Sequence, residues 1–141
     1  MLMDEAEARE SAAMIESAKA QYEALMRQQE IIRLTVDEHS RARDTISMVA
    51  SGKPGDDILV PIGAESFIHA RISEEKSAIV GVGADVSFQR PPEEAQKLLG
   101  ARIDELNRAA HKIGERIEQT ELTVQQLSEK LQEHYSRSEP Q

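Results

Sequence analysis

Four histidines, at positions 39, 69, 111 and 134, are the groups of this 141-residue chain best suited to acid–base or metal chemistry. They are too scattered to converge on one metal ion, and His39 and His134 read better as polar positions in a helix seam. Cysteine is absent, which removes a thiol nucleophile, a thiolate metal site and a disulfide framework together. Gly52–Lys53 is followed by Pro54, where a phosphate loop needs Ser or Thr. Val80–Gly81–Val82–Gly83 lacks both the third glycine and the helix start of a nucleotide loop, so it reads as a strand bend. No G-x-S-x-G, H-E-x-x-H or EF-hand loop occurs. The acid pairs Asp56/Asp57, Glu74/Glu75 and Glu93/Glu94 are sequence neighbours whose side chains point apart, as in solvated turns or at a helix N-terminus. The chemistry left to the chain is binding: no enzyme activity, cofactor or metal is expected.

Glycine and proline divide the elements that must present such binding. Residues 1–51 hold neither, whereas the stretch from Gly52 to Pro92 holds five of the seven glycines and four of the five prolines. This predicts three parts: an N-terminal helix over 1–51, an insert over 52–91, and a C-terminal helix over 92–141. In the first helix the 3,4 spacing runs Ile15, Ala18, Tyr22, Leu25, Gln29, Ile32, Val36, His39, Arg43, Ile46. In the second it runs Leu99, Ile103, Leu106, Ala110, Ile113, Ile117, Thr120, Val124, Leu127, Leu131, His134. A narrow stripe sustained at period 3.5 is a coiled-coil seam. At 1.5 Å per residue, each helix extends about 70–75 Å. Folded antiparallel, they set Ile46 against Leu99, Ile32 against Ile113, Leu25 against Thr120 and Ile15 against Leu131. The polar seam residues Gln29, His39 and Arg43 weaken the first helix's stripe, and Gly100 and Gly114 each cost the second about 1 kcal/mol relative to Ala. Gly52 is placed to end the first helix in the left-handed conformation, and Pro91 or Pro92 with Glu93 and Glu94 to start the second.

The insert follows strand rules. Ile58–Ile62, Phe67–Ile72, Ala78–Val82 and Ala84–Phe88 are apolar runs, the last a half-buried alternation of Ala84, Val86 and Phe88 with Asp85 and Ser87. Turn chemistry at Gly63/Ala64 and Gly83 makes them two β-hairpins. Two hairpins leave open edges and one thin apolar face, which is marginal in isolation, so assembly with other chains is expected. The fold class is α+β: a long antiparallel two-helix coiled-coil hairpin with two β-hairpins between the helices.

With both chain ends at the far tip of the helix pair, Met1, Leu2, Met3 and Met14 meet Leu131 and Tyr135. Flexible methionines and small apolar groups there form an adaptable surface. The net charge of −9 argues against a nucleic-acid footprint, the 3% aromatic content argues for an extended shape over a thick core, and apolar runs far shorter than ~20 residues argue against a membrane span.

The run Ile58–Leu59–Val60–Pro61–Ile62–Gly63–Ala64–Glu65–Ser66–Phe67–Ile68, then Ala78–Ile79–Val80–Gly81–Val82–Gly83–Ala84, flanked by two coiled-coil helices, resembles the alpha subunits of archaeal prefoldin. The resemblance spans essentially the whole chain. It implies an ATP-independent molecular chaperone without an active site, in which two alpha and four beta subunits join their hairpins into a double β-barrel. It also implies coiled coils that hold unfolded client proteins at their tips and pass them to a cytoplasmic group II chaperonin. Carried onto this chain, the resemblance assigns subunit assembly to Ile58, Leu59, Val60, Ile62, Phe67, Ile68, Ile72, Ile79, Val80, Val82, Val86 and Phe88. It assigns the client-binding tip, by position, to Met1, Leu2, Met3, Met14, Leu131 and Tyr135. The residues also allow a structural coiled-coil adaptor with one dedicated protein partner.

Overall fold

The structure, a computed structural model, describes residues 3–138. Helix α1 spans Glu5–Ser51 and helix α2 spans Pro92–Ser138, with strands β1 (Asp57–Gly63), β2 (Ser66–Arg71), β3 (Ala78–Gly83) and β4 (Val86–Arg90) between them. The chain packs as two compact units, residues 1–33 with 108–141, and residues 34–107.

The helix starts follow local chemistry. Asp4 caps α1: its Oδ1 accepts from the Glu7 amide at 2.7 Å, while Glu7 Oε2 reaches back to the Asp4 amide at 3.4 Å, a reciprocal capping box. Pro92 opens α2, where a missing N–H costs nothing, and Ala95 N donates to Pro91 O at 3.0 Å.

Every seam position named above is buried or half-buried, and the stripe continues toward the N-terminus through Ala8 and Ser11. In the first unit the helices meet antiparallel. Gln29 Nε2 donates to Ala110 O at 3.4 Å, and Glu121 lies beside Tyr22. The Tyr22 hydroxyl donates a hydrogen bond to the Glu121 carboxylate, whose charge adds to the effect, so the phenol stays protonated above its ordinary range. In the second unit Ile46 packs against the cluster of Val80, Ala95 and Leu99, which brings it to Leu99 as the heptads require.

Two more polar seam residues bond back to their own helix. His39 Nδ1 lies 2.8 Å from Thr35 O, and the buried Thr120 hydroxyl donates to Arg116 O at 2.7 Å. The two α2 glycines lie opposite two of the long polar side chains. A β-carbon on Gly114 would stand 3.6 Å from Gln29 Nε2, and one on Gly100 would stand 3.7 Å from Arg43 Nη1. Both are ordinary contact distances, so Gly100→Ala and Gly114→Ala fit. Each is expected to raise stability by about 0.5–1 kcal/mol through helix propensity, read as a higher thermal midpoint. A lowered midpoint for either would show that the seam has no room there.

Each hairpin is a separate two-stranded antiparallel sheet, β1 with β2 and β3 with β4. Their turns are built alike: Ala64 and Glu65 have φ of 50° and 57°, Ala84 and Asp85 have 51° and 60°, and glycine precedes each pair. Positive φ at both central residues is the geometry of type I′ turns, whose twist matches that of the strands. Pairing shifts by one residue at the same step in each, between Pro61 and Gly63 and between Gly81 and Gly83, leaving Ile62 and Val82 as bulge residues.

Two local expectations are corrected. Gly52 follows the end of α1 but does not adopt positive φ; Gly55 does, at 89°. What Gly52 supplies is space, because a β-carbon there would run into the δ-methyl of Ile72. Strand β4 is not half-buried, since all its residues are exposed and Ala84 belongs to the turn. Helix α2 covers the β3 side of its hairpin, at Val80, and β4 is left open.

Candidate functional site

The hairpins divide by face the residues expected to serve subunit assembly. In the first, Leu59 pairs with His69 and Pro61 with Phe67 on one face, while Ile58 with Ala70 and Val60 with Ile68 occupy the other. Leu59 and Phe67 are exposed, whereas Ile58, Val60 and Ala70 are half-buried. Ile62 and Ile68 are exposed as well. In the second hairpin Ile79 is the most open at 76% accessible, and Val82, Val86 and Phe88 are also exposed. Arg90 lies over the Phe88 ring at 4.8 Å, a cation–π contact that leaves the ring accessible.

Ile72 and Val80 stand apart from this set. Both are buried within the chain itself, Val80 against Ala95 and Leu99 and Ile72 beside Gly52. Within the chain they hold the hairpin bases, while their neighbours face outward. Ile58, Leu59, Phe67 and Ile72 converge with Met48 on a cleft of about 780 Å³.

The tip residues are brought together in part. Leu131 and Tyr135 of α2 line a groove of about 550 Å³ with Ala12, Ile15 and Lys19 of α1. Met14 is exposed but does not line that groove, and Met3 is half-buried. Met1 and Leu2 lie outside the described residues. Ile15, Glu16, Lys19, Ser128, Gln132 and Ser136 also line the groove and are not singled out by sequence reasoning. For Ile15 a signal exists, because the heptad register sets it against Leu131.

Beside the groove, His134 packs its ring edge-on against Tyr135 at 5.5 Å, and its Nε2, 3.6 Å from Glu5 Oε2, is buried without a hydrogen-bond partner. Among the described residues no three His, Asp or Glu side chains stand close enough to hold a metal ion, and no helix is long and apolar enough to cross a membrane. The groove offers a ligand apolar side chains at Ala12, Ile15 and Leu131 and polar ones at Glu16, Lys19, Ser128 and Gln132.

Comparison with known proteins points the same way. Residues 18–137 match the family of prefoldin subunits. The chain is similar to prefoldin subunit alpha of Methanothrix thermoacetophila, 32% identical over 109 residues that cover 77% of this chain and 71% of that protein. It is similar also to prefoldin subunit alpha of Pyrococcus horikoshii, 31% identical over 118 residues covering 82% and 78%. Among solved structures, a chain of filamentous PFD from Methanocaldococcus jannaschii shares the fold, with a TM-score of 0.65 at 20% identity over 84% of this chain and 96% of that one. The chain therefore belongs to the prefoldin family, among its alpha-type chaperone subunits, which work in oligomers with other prefoldin subunits.

Proposed function

We propose that this chain is the alpha component of an ATP-independent holdase: two copies join four beta-type subunits through the hairpins into a β-barrel platform. The helix pairs then hold non-native polypeptide in the groove at Ile15, Leu131 and Tyr135 and deliver it to a group II chaperonin in the cytoplasm. The observation that carries the reading is the exposure of Leu59, Ile62, Phe67, Ile68 and Ile79 on two-stranded sheets. Such hairpins are marginal alone, and an apolar face this open is satisfied by pairing with further strands. The groove needs no tight affinity. Several weak apolar sites held on one assembly act through effective concentration, so a client is retained without any single strong contact and leaves by exchange.

Removal of residues 1–10 and 132–141 together takes away Tyr135 and part of the groove while sparing both hairpins. The truncated chain is expected to assemble with beta-type subunits at full mass yet to lose most of its suppression of client aggregation, followed by light scattering of a denatured client diluted into buffer. Suppression at unchanged stoichiometry would defeat the groove assignment. A dedicated adaptor would instead show one saturable protein partner and no general protection of unfolded chains.

A further inference from the structure

The two hairpins share no strand pairing, so nothing in the sheets themselves sets one relative to the other. What joins them is the connection from Ile72 to Ser77, and it is tied down along its length. At its start, Ile72 N donates to Asp56 O at 3.0 Å and Gly55 N donates to Ile72 O at 2.7 Å. Asp56 is itself held, its Oδ2 accepting from Lys53 N at 2.9 Å. At its end, Gln89 Nε2 of β4 donates to Ser77 Oγ at 2.8 Å.

Between these ties, the Lys76 ammonium reaches back to the end of α1, donating to Gly52 O and, at 3.4 Å, to Ala50 O. Ala50 O lies in the last turn of α1, which carries no basic residue of its own, and Gly52 O lies just beyond that turn. The final carbonyls of a helix lack intrahelical partners and carry its negative dipole end, which a cation satisfies. The cation arrives here from 24 residues downstream. It thereby anchors the entry to the second hairpin on the exit of the first helix.

Resting on the reading that the hairpins are the assembly faces, we infer that Lys76 is a positioning residue of the platform: its ammonium, bridging Ala50 O in the last turn of α1 and Gly52 O just beyond it, sets the placement of the second hairpin relative to the first, which partner subunits must match. Its effect is on assembly rather than on the folding of either hairpin or of the helices.

The chain has no cysteine, so Lys76→Cys introduces the single thiol of the molecule. Mixed with beta-type subunits and followed by sedimentation over a dilution series, this variant is expected to dissociate at a protein concentration roughly tenfold higher than wild type, the scale of losing a hydrogen bond from a charged group. Its helical circular dichroism and thermal midpoint as a separate chain should stay close to wild type. Alkylation of the thiol with 2-bromoethylamine, which restores an ammonium at lysine length, should return the wild-type value, and alkylation with iodoacetamide should not. Dissociation at the wild-type concentration before any alkylation overturns the inference. So does a loss of chain stability that matches the loss of assembly, which would reduce Lys76 to a helix cap. Phe67→Asp with Ile79→Asp is the reference arm: if that variant still assembles, the platform reading itself fails, whereas if it dissociates and Lys76→Cys does not, only the role of Lys76 fails.

Discussion

With Phe67→Asp and Ile79→Asp introduced together, the complex with beta-type subunits is expected to fall apart while far-ultraviolet circular dichroism keeps the helical spectrum of the wild-type chain. Phe67 is 60% and Ile79 76% accessible, one on each hairpin. An exposed substitution of this kind changes the stability of the separate chain by about 0.5 kcal/mol or less. In an interface, the same two positions would bury unpaired carboxylates, each costing several kcal/mol, and lose the apolar area that drives association. The mass, read by light scattering, should drop to that of free subunits; a full-size assembly would contradict the hairpin platform. Val80→Asp is the uninformative alternative. Val80 is packed against Ala95 and Leu99, so a charge there unfolds the base of the hairpin and confounds folding with assembly.

The second large effect concerns the helix seam. Leu25 is 2% accessible, and Leu25→Ala removes methyl groups from a site closed on both sides, at a cost of about 3 kcal/mol. That corresponds to a fall of roughly 6–12 °C in the thermal midpoint for a chain of this size. Ile31, six residues further along the same helix, is 63% accessible, and Ile31→Ala should shift the midpoint by no more than about 2 °C. Equal shifts for the two variants would mean that the stripe running through Leu25 is not the buried one.

From Ile15 and from Leu99 onward the seam was legible in the sequence because period 3.5 specifies a face without reference to anything outside the helix, whereas its small N-terminal positions, Ala8 and Ser11, carry little apolar signal. Even His39 and His134, polar and aromatic, proved half-buried where the heptads put them. The hairpins were legible as elements through Gly63 and Gly83, but their burial was not. Alternation separates the two faces of a strand and says nothing of which face a helix will cover, so Ile72 and Val80 could not be told from Phe67 and Ile79. The capping box at Asp4 and Glu7 has the standard i,i+3 spacing in the sequence. The tie from Lys76 was invisible for a physical reason: a lysine in a polar connection reads as solvated, and only the fold brings it to carbonyls at the end of α1.

The matching bulges at Ile62 and Val82 limit what the open edges of these sheets can recruit. Regular pairing in β1 runs from Asp57 to Pro61 and in β3 from Ala78 to Gly81 before the step. A stray extended peptide laid along the edge of β1 or β3 can therefore zip through only a handful of residues before its ladder is thrown out of phase. The chain thus keeps its edges free for a shaped companion while denying fibril growth the long, flat template it requires.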